Sequence, residues 1–198
     1  MLLFILLCYL LFMQLKPLAA TSCLSIYDDA HHHWLFLDWV GELTLPTVQE
    51  ACVVVAQCYL TRTYSRVLTS NLRVTKVGGS VGMWFGAEFL PYLALAGVEQ
   101  LAWVNAPSLT DRNQAQTVVN RMPSLALSLF DTTEEAIAWL QPSNTPQAEE
   151  YTLPWQPATQ VRLVQSVQVL RQEAQLIRQE VQYLKQKVSK RPITSSRA

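Results

Sequence analysis

Between Ser65 and Val104 the chain carries one unit whose topology is nearly fixed. Ser65-Arg-Val-Leu-Thr-Ser-Asn-Leu and Val98-Glu-Gln-Leu-Ala-Trp-Val have the length and the Val, Leu and Trp content of strands. Between them Gly82, Phe85, Phe89, Tyr92 and Ala96 recur at helical spacing. Ser80 is placed to cap that helix, and Gly97 falls where a left-handed C-terminal residue belongs. Strand, helix and strand make a parallel crossover of nearly fixed hand. Pro91 interrupts the helix and predicts a kink or an unpaired carbonyl near Ala87. Gly82 and Gly86, four apart, would let the helix approach the sheet closely.

The flanking segments complete this sheet or cover it. Cys23–Tyr27 and Trp34–Val40 read as strands joined by a hairpin turn over Asp28–His33. Thr44 and Pro46 open a helix whose Val48, Cys52, Val55 and Tyr59 form one apolar stripe, ending near Thr61. A helix is expected around Asp111–Arg121 and a strand over Leu125–Phe130. Asp131-Thr-Thr-Glu134 then reads as a capping box with Asp131 as the cap, opening a helix over Glu134–Leu140. The expected fold is α/β: a small mixed sheet covered by helices in the order β-β-α-β-α-β-α-β-α, followed by a coiled-coil helix. The boundaries expected are an apolar segment over 1–21, the α/β domain over 22–140, a Pro-rich linker over 141–159, the coiled coil over 160–189 and a basic tail over 190–198.

The last helix shows an unbroken three-four alternation. Leu163, Leu170, Ile177 and Leu184 fall at d, and Val167, Ala174, Val181 and Val188 at a. β-branched residues at a with Leu at d favour a parallel two-stranded coil. In such a pair Glu173 at g faces Arg178 at e of the partner helix, and Glu180 faces Lys185. Val169, Leu176 and Tyr183 form a second apolar stripe at c, able to dock on the chain's own domain or to admit more strands. These eight a and d residues are the expected homodimer contacts.

Charge separates the two parts. Residues 1–159 hold 7 Lys/Arg against 13 Asp/Glu, and residues 160–198 hold 8 against 2. An acidic domain with a basic tail is not the distribution of a nucleic-acid binder, so no nucleic acid is expected. The cysteines, Cys8, Cys23, Cys52 and Cys58, show neither CxxC nor metal-ligand spacing, which fits free thiols in a reducing cytoplasm. Cys52 and Cys58 lie on different faces of one helix, too far apart to bridge. Met1–Met13 is almost wholly apolar but lacks a preceding positive charge and is too short to span a bilayer. It reads as an extension ahead of a start at Met13, or as a signal or anchor. A cytoplasmic location is expected, with membrane contact only if this segment is retained.

Three patterns invite chemistry. Gly78-Gly79-Ser80-Val81-Gly82 matches G-x-S-x-G between a strand and a helix, the setting of a nucleophile elbow. In that arrangement the histidine follows the serine, whereas His31, His32 and His33 all precede it, so a serine hydrolase ranks third among the readings. The same glycines place Ser80 and Gly79 at a helix N-terminus, where an anion or a phosphorylated serine is tolerated. The three adjacent histidines point alternately to opposite faces of an extended chain and so do not converge on one metal ion. No catalytic set, metal site or cofactor is implied.

With this order of elements, residues 22–140 resemble the STAS family (sulfate transporter and anti-sigma-factor antagonist), and in particular its small bacterial STAS-like members. The resemblance is carried by Trp34-Leu-Phe-Leu-Asp-Trp, by Ser65–Val104 and by Leu125-Ala-Leu-Ser-Leu-Phe-Asp-Thr-Thr-Glu-Glu-Ala-Ile-Ala-Trp-Leu140. It implies a non-enzymatic switch module that docks on a protein partner through the helix after the third strand, here Trp84, Phe85 and Glu88. It also implies a phosphoacceptor serine at the start of that helix; Ser80 matches by position, but Gly79 stands where the family has Asp. The leading expectation is a regulatory or scaffolding module that binds an unidentified protein partner and dimerises through its C-terminal helix. The alternative is a small-ligand or lipid-binding module holding its ligand near Trp84, Phe85 and Trp103.

Overall fold

A computed structural model describes residues 15–105, 125–141 and 157–189 of the chain. Residues 1–14 of the expected apolar segment over 1–21, the helix around 111–121, most of the linker and the basic tail lie outside the described residues.

Six strands form one sheet in sequential order: β1 (Leu15–Ala20), β2 (Leu24–Asp29), β3 (Trp34–Leu43), β4 (Arg66–Val77), β5 (Gln100–Val104) and β6 (Ala126–Phe130). β1, β2 and β3 pair antiparallel, and β3 through β6 pair parallel. The α/β class, the hairpin and the parallel crossover are therefore present as read from sequence. β1 departs from the sequence expectation, which places Leu15–Ala20 within the apolar N-terminal segment. It is an edge strand, with Pro17 and a register shift between Pro17 and Ala19, and four of its six residues are exposed.

Helix α1 (Leu45–Tyr59) follows β3. The Thr44 N–H donates to Thr47 Oγ1 at 3.2 Å, closing the first turn, and Val48, Cys52, Val55 and Tyr59 are buried as the stripe predicts. After β4 the crossover helix is not uniform. It comprises α2 (Val81–Trp84), a π-helical turn (Phe85–Phe89) and α3 (Leu90–Leu95). The Leu90 N–H bonds to the Phe85 carbonyl, five residues back, immediately before Pro91. The backbone thus absorbs the proline by widening one turn. Gly97 ends α3 at φ +88, and the Val98 N–H reaches back to the Leu93 carbonyl at 3.0 Å, as a left-handed C-terminal glycine requires.

Helix α4 (Thr133–Leu140) follows β6. Its cap is Thr132 rather than Asp131: Thr132 Oγ1 accepts from the Glu135 N–H at 3.3 Å. Both residues suit the position; the cap falls one residue later than the box suggests, and the helix begins at Thr133, one residue before the expected Glu134.

One face of the sheet buries Leu24, Ile26, Leu35, Leu37, Val67 and Leu101 against α1 and the crossover helix. The other face packs Trp34, Leu68, Ala102 and Val104 beneath Ala136 and Leu140 of α4.

The final helix, α5 (Pro157–Ser189), adds a third layer by lying on α1 and α3. Leu163, Val167 and Leu170 belong to the main core and are at most 5% exposed. Arg178, expected to face Glu173 of a partner helix, instead pairs with Glu50 of α1 at 2.6 Å. The first half of the seam assigned to a dimer is therefore occupied by the chain's own domain. Beyond it Ala174, Ile177 and Val181 are half-buried, and Leu184 is exposed. Heptad periodicity specifies an apolar seam and leaves open what covers it.

Leu163→Ala should therefore destabilise the full chain by about 2–5 kcal/mol, the range for a buried leucine. Urea denaturation followed by tryptophan fluorescence checks this; a change near zero would mean that the helix does not dock.

Candidate functional site

Both ends of the sheet carry residues singled out by sequence. At the C-terminal end of β4 the chain turns through Gly78 and Gly79 into α2. A Cβ on Gly78 would sit 3.4 Å from the Leu43 carbonyl, so this glycine allows close approach to β3; Gly79 has open space around it. Ser80 occupies the N-cap position, but its φ and ψ are helical and its hydroxyl makes no capping bond. Its carbonyl accepts from the Trp84 N–H at 3.1 Å, while its side chain faces solvent.

The helix that follows alternates core and surface. Phe85, expected at a docking face, is buried: its ring meets Trp103 edge-on at 5.4 Å and Phe89 at 5.2 Å. Trp84 is half-buried against the same core, and Glu88 is exposed. The exposed hydrophobic residue on this turn is Met83, at 73%. Sequence periodicity placed Phe85 on the helical stripe, and that stripe is the core-facing one. Phe85 and Trp103, proposed to line a ligand site, pack on each other.

The histidine hairpin lies at the opposite end. Asp29 is fully buried: its Oδ1 accepts the His31 and His32 N–H groups at 3.0 and 3.1 Å, and its Oδ2 lies 2.8 Å from His32 Nδ1. The His32 ring stacks on Trp34 with a centroid distance of 4.3 Å. Arg66 at the start of β4 donates to the His32 carbonyl at 2.7 Å and to the Leu140 carbonyl at 2.9 Å. It thus ties the hairpin to the end of α4. His33 takes φ +58 to close the turn. His32 is a structural partner of Asp29, a role that sequence proximity to Asp28 and Asp29 hinted at but did not assign. Among the described residues no group of three His, Cys, Asp or Glu is arranged to hold a metal ion.

The hairpin precedes β3, and Ser80 follows β4, which runs parallel to β3 from the Leu35–Val67 pair to the Leu43–Val77 pair. Those pairs are about 30 Å apart at roughly 3.3 Å per strand residue. The three histidines and the Ser80 hydroxyl therefore do not meet.

Burial sets the ionisation of the interior. It raises the thiols of Cys23, Cys52 and Cys58 above their ordinary value, Cys52 most strongly. It raises the phenols of Tyr59 and Tyr92 and pushes Tyr64 up to about 12. Desolvation also raises Asp38, against the lowering effect of the Arg73 guanidinium that pairs with it. Cys23, Cys52 and Cys58 are free thiols, Cys23 and Cys52 buried.

No family model matches the chain, and no curated protein matches it. Among solved structures it is similar to an uncharacterised Shewanella loihica PV-4 protein of SpoIIAA-like fold, at 12% identity and TM-score 0.42, over 64% of this chain and 91% of that one. It is similar to an anti-sigma factor antagonist from Mycobacterium paratuberculosis, at 13% identity and TM-score 0.42, over 62% and 98%. It is also similar to the anti-sigma factor antagonist SpoIIAA in its unphosphorylated form, at 17% identity and TM-score 0.39, over 64% and 95%. Among the described residues no helix is long and apolar enough to cross a membrane.

Two outcomes follow from these placements. Asp29→Ala should cost about 2–4 kcal/mol, because three hydrogen bonds to a buried side chain are lost and two backbone N–H groups are left without their acceptor, whereas Ser80→Asp at an exposed position should stay within about 0.5 kcal/mol; urea denaturation of both variants separates anchor from surface. The buried thiols and phenols give a pH dependence. Their ordinary values are 9.0 and 10.0, and each is raised in the fold, so the unfolded chain loses those protons first. Stability should therefore be level with respect to these groups near neutrality and fall as pH rises through 9.0 and 10.0. A urea midpoint that stays constant across that window would contradict the burial of these groups.

Proposed function

We propose that this chain is a non-enzymatic regulatory or scaffolding module that binds a protein partner through its α/β domain and self-associates through α5. The observation that carries the reading is the apolar surface that α5 leaves uncovered. Leu163, Val167 and Leu170 are buried against the domain, but Val169, Leu176 and Tyr183 on the outward face are 51%, 65% and 62% exposed, and Leu184 on the seam is 50% exposed. Large apolar groups spaced along an exposed helix mark an association surface better than a solvated one.

On the α/β domain, the exposed surface at the start of the crossover helix (Ser80, Met83 and Glu88, with the rim of Trp84) is the proposed docking face. Phe85 supports it from below. Ser80 and Gly79 open that face, so a phosphate on Ser80 would add charge beside the partner without disturbing the core. Pairing two such domains would raise apparent affinity for a repeated partner with no new contact.

Sedimentation velocity of the full chain across the micromolar range tests self-association. A sedimentation coefficient that rises with concentration is expected, and a monomer throughout would remove self-association from the reading.

A further inference from the structure

All six charged residues between positions 163 and 189 fall at e or g, beside the seam that faces the domain: Arg171, Arg178 and Lys185 at e, and Glu173, Glu180 and Lys187 at g. Within that span the outward positions b, c and f carry none, and Arg162 at c bounds the neutral face on its N-terminal side. From Gln165 to Gln186 they read as glutamines at b and f, with Val169, Leu176 and Tyr183 at c. Every one of these outward side chains is exposed, and the three apolar ones are 51%, 65% and 62% exposed. A solvated helix face ordinarily carries its charges outward. Here the outward face is neutral and has an apolar ridge recurring every seven residues.

We infer that this outward face, rather than the a/d seam, is where α5 meets a second copy of the chain, in parallel and in register. The inference rests on the self-association proposed above and names its surface. Three observations select the occupant. A glutamine amide both donates and accepts, so a face of glutamines is complementary to itself, while an oppositely charged partner would find no charge to pair with. The first half of the competing seam is already filled by α1 and α3 through Leu163, Val167 and Leu170. Orientation follows from the flanks. With c and f inside, a parallel pair sets Gln168, Gln175 and Gln182 at b against Glu173, Glu180 and Lys187 at g. An antiparallel pair centred near Leu176 would set Glu173 against Glu180 and bring like charges together.

The face is about 25 Å long, at about 1.5 Å per residue from Val169 to Gln186. One helix-on-helix contact of that length buries less than the roughly 800 Å² per partner of a stable interface, so the dimer is weak and concentration-dependent.

Cysteine placement in the full chain separates the two faces, in a background with Cys8 and Cys58 replaced by serine. Gln179→Cys, at the centre of the outward face, should form a disulfide with its own counterpart under mild oxidation. Ile177→Cys, on the domain-facing seam, should not. The double variant Leu176→Glu with Tyr183→Glu, both exposed, should weaken self-association at least about tenfold while leaving the urea midpoint unchanged, a loss of about 1.4 kcal/mol or more. If the chain self-associates but Ile177→Cys cross-links and Gln179→Cys does not, the helix has left its domain to pair through the seam, and this inference is overturned. Self-association with neither cross-link, or one indifferent to the double glutamate variant, also overturns it. A chain that stays monomeric by sedimentation removes the proposed self-association itself.

Discussion

The parallel core of the sheet needs apolar cover on both faces, and most of the architecture answers to that requirement. Val67 and Leu68 are consecutive in β4, point to opposite faces, and are both fully buried. A strand buried on both sides loses its fold if either layer is absent, because its apolar side chains cannot turn to water. The crossover helix and α1 supply one layer and α4 the other. Arg66 fastens the second layer to the histidine hairpin by bonding the last carbonyl of α4 and the His32 carbonyl. Asp29 and His32 are thereby drawn into the scaffold, which is why a hairpin rich in titratable groups serves the fold.

The third layer is a different matter. α1 is covered by the sheet on one side, and on the other it meets α5. Tyr92 Oη donates to the Ala56 carbonyl at 2.9 Å, joining the crossover helix to α1, and the two helices together form the bed on which α5 lies. Leu163, Val167 and Leu170 enter the same core cluster as the sheet residues. The helix is thus buried in the domain over its first half and only partly covered beyond it, where Arg178 still reaches Glu50.

Much of this was legible in the sequence wherever a segment's pattern decided its own conformation. The stripe of α1, the Gly97 terminus and the parallel strands of the crossover are of this kind. What escaped depended on partners. Leu15-Lys-Pro-Leu-Ala-Ala has a proline and no alternation, and it becomes a strand because β2 offers it an open edge. Pro91 announced a disturbance, but whether the backbone would kink or widen to a π-turn depended on the sheet beneath it. Phe85 was visible as part of a stripe, although its burial beside Trp103 and Phe89 was not. The heptads of α5 gave the seam its position and withheld its occupant.

That occupant is decided by a competition between one chain and two. Residues 142–156 join α5 to its own domain, so the domain meets the seam at an effective concentration of order millimolar for a short tether. A second α5 arrives at its bulk concentration, far lower. Docking also offers more than a coil would over the same stretch. Leu163, Val167 and Leu170 join an existing core, and Glu50 stands in for the glutamate that a parallel partner would present to Arg178. The exposed Arg178–Glu50 pair is worth at most about 1 kcal/mol, so it selects orientation while the apolar contacts hold the helix down. A seam pair between two chains would have to undo those contacts before gaining its own. The outward face carries no such debt, since its side chains are already in water and lose only that water on pairing. At equal intrinsic strength, the surface that needs no undocking wins.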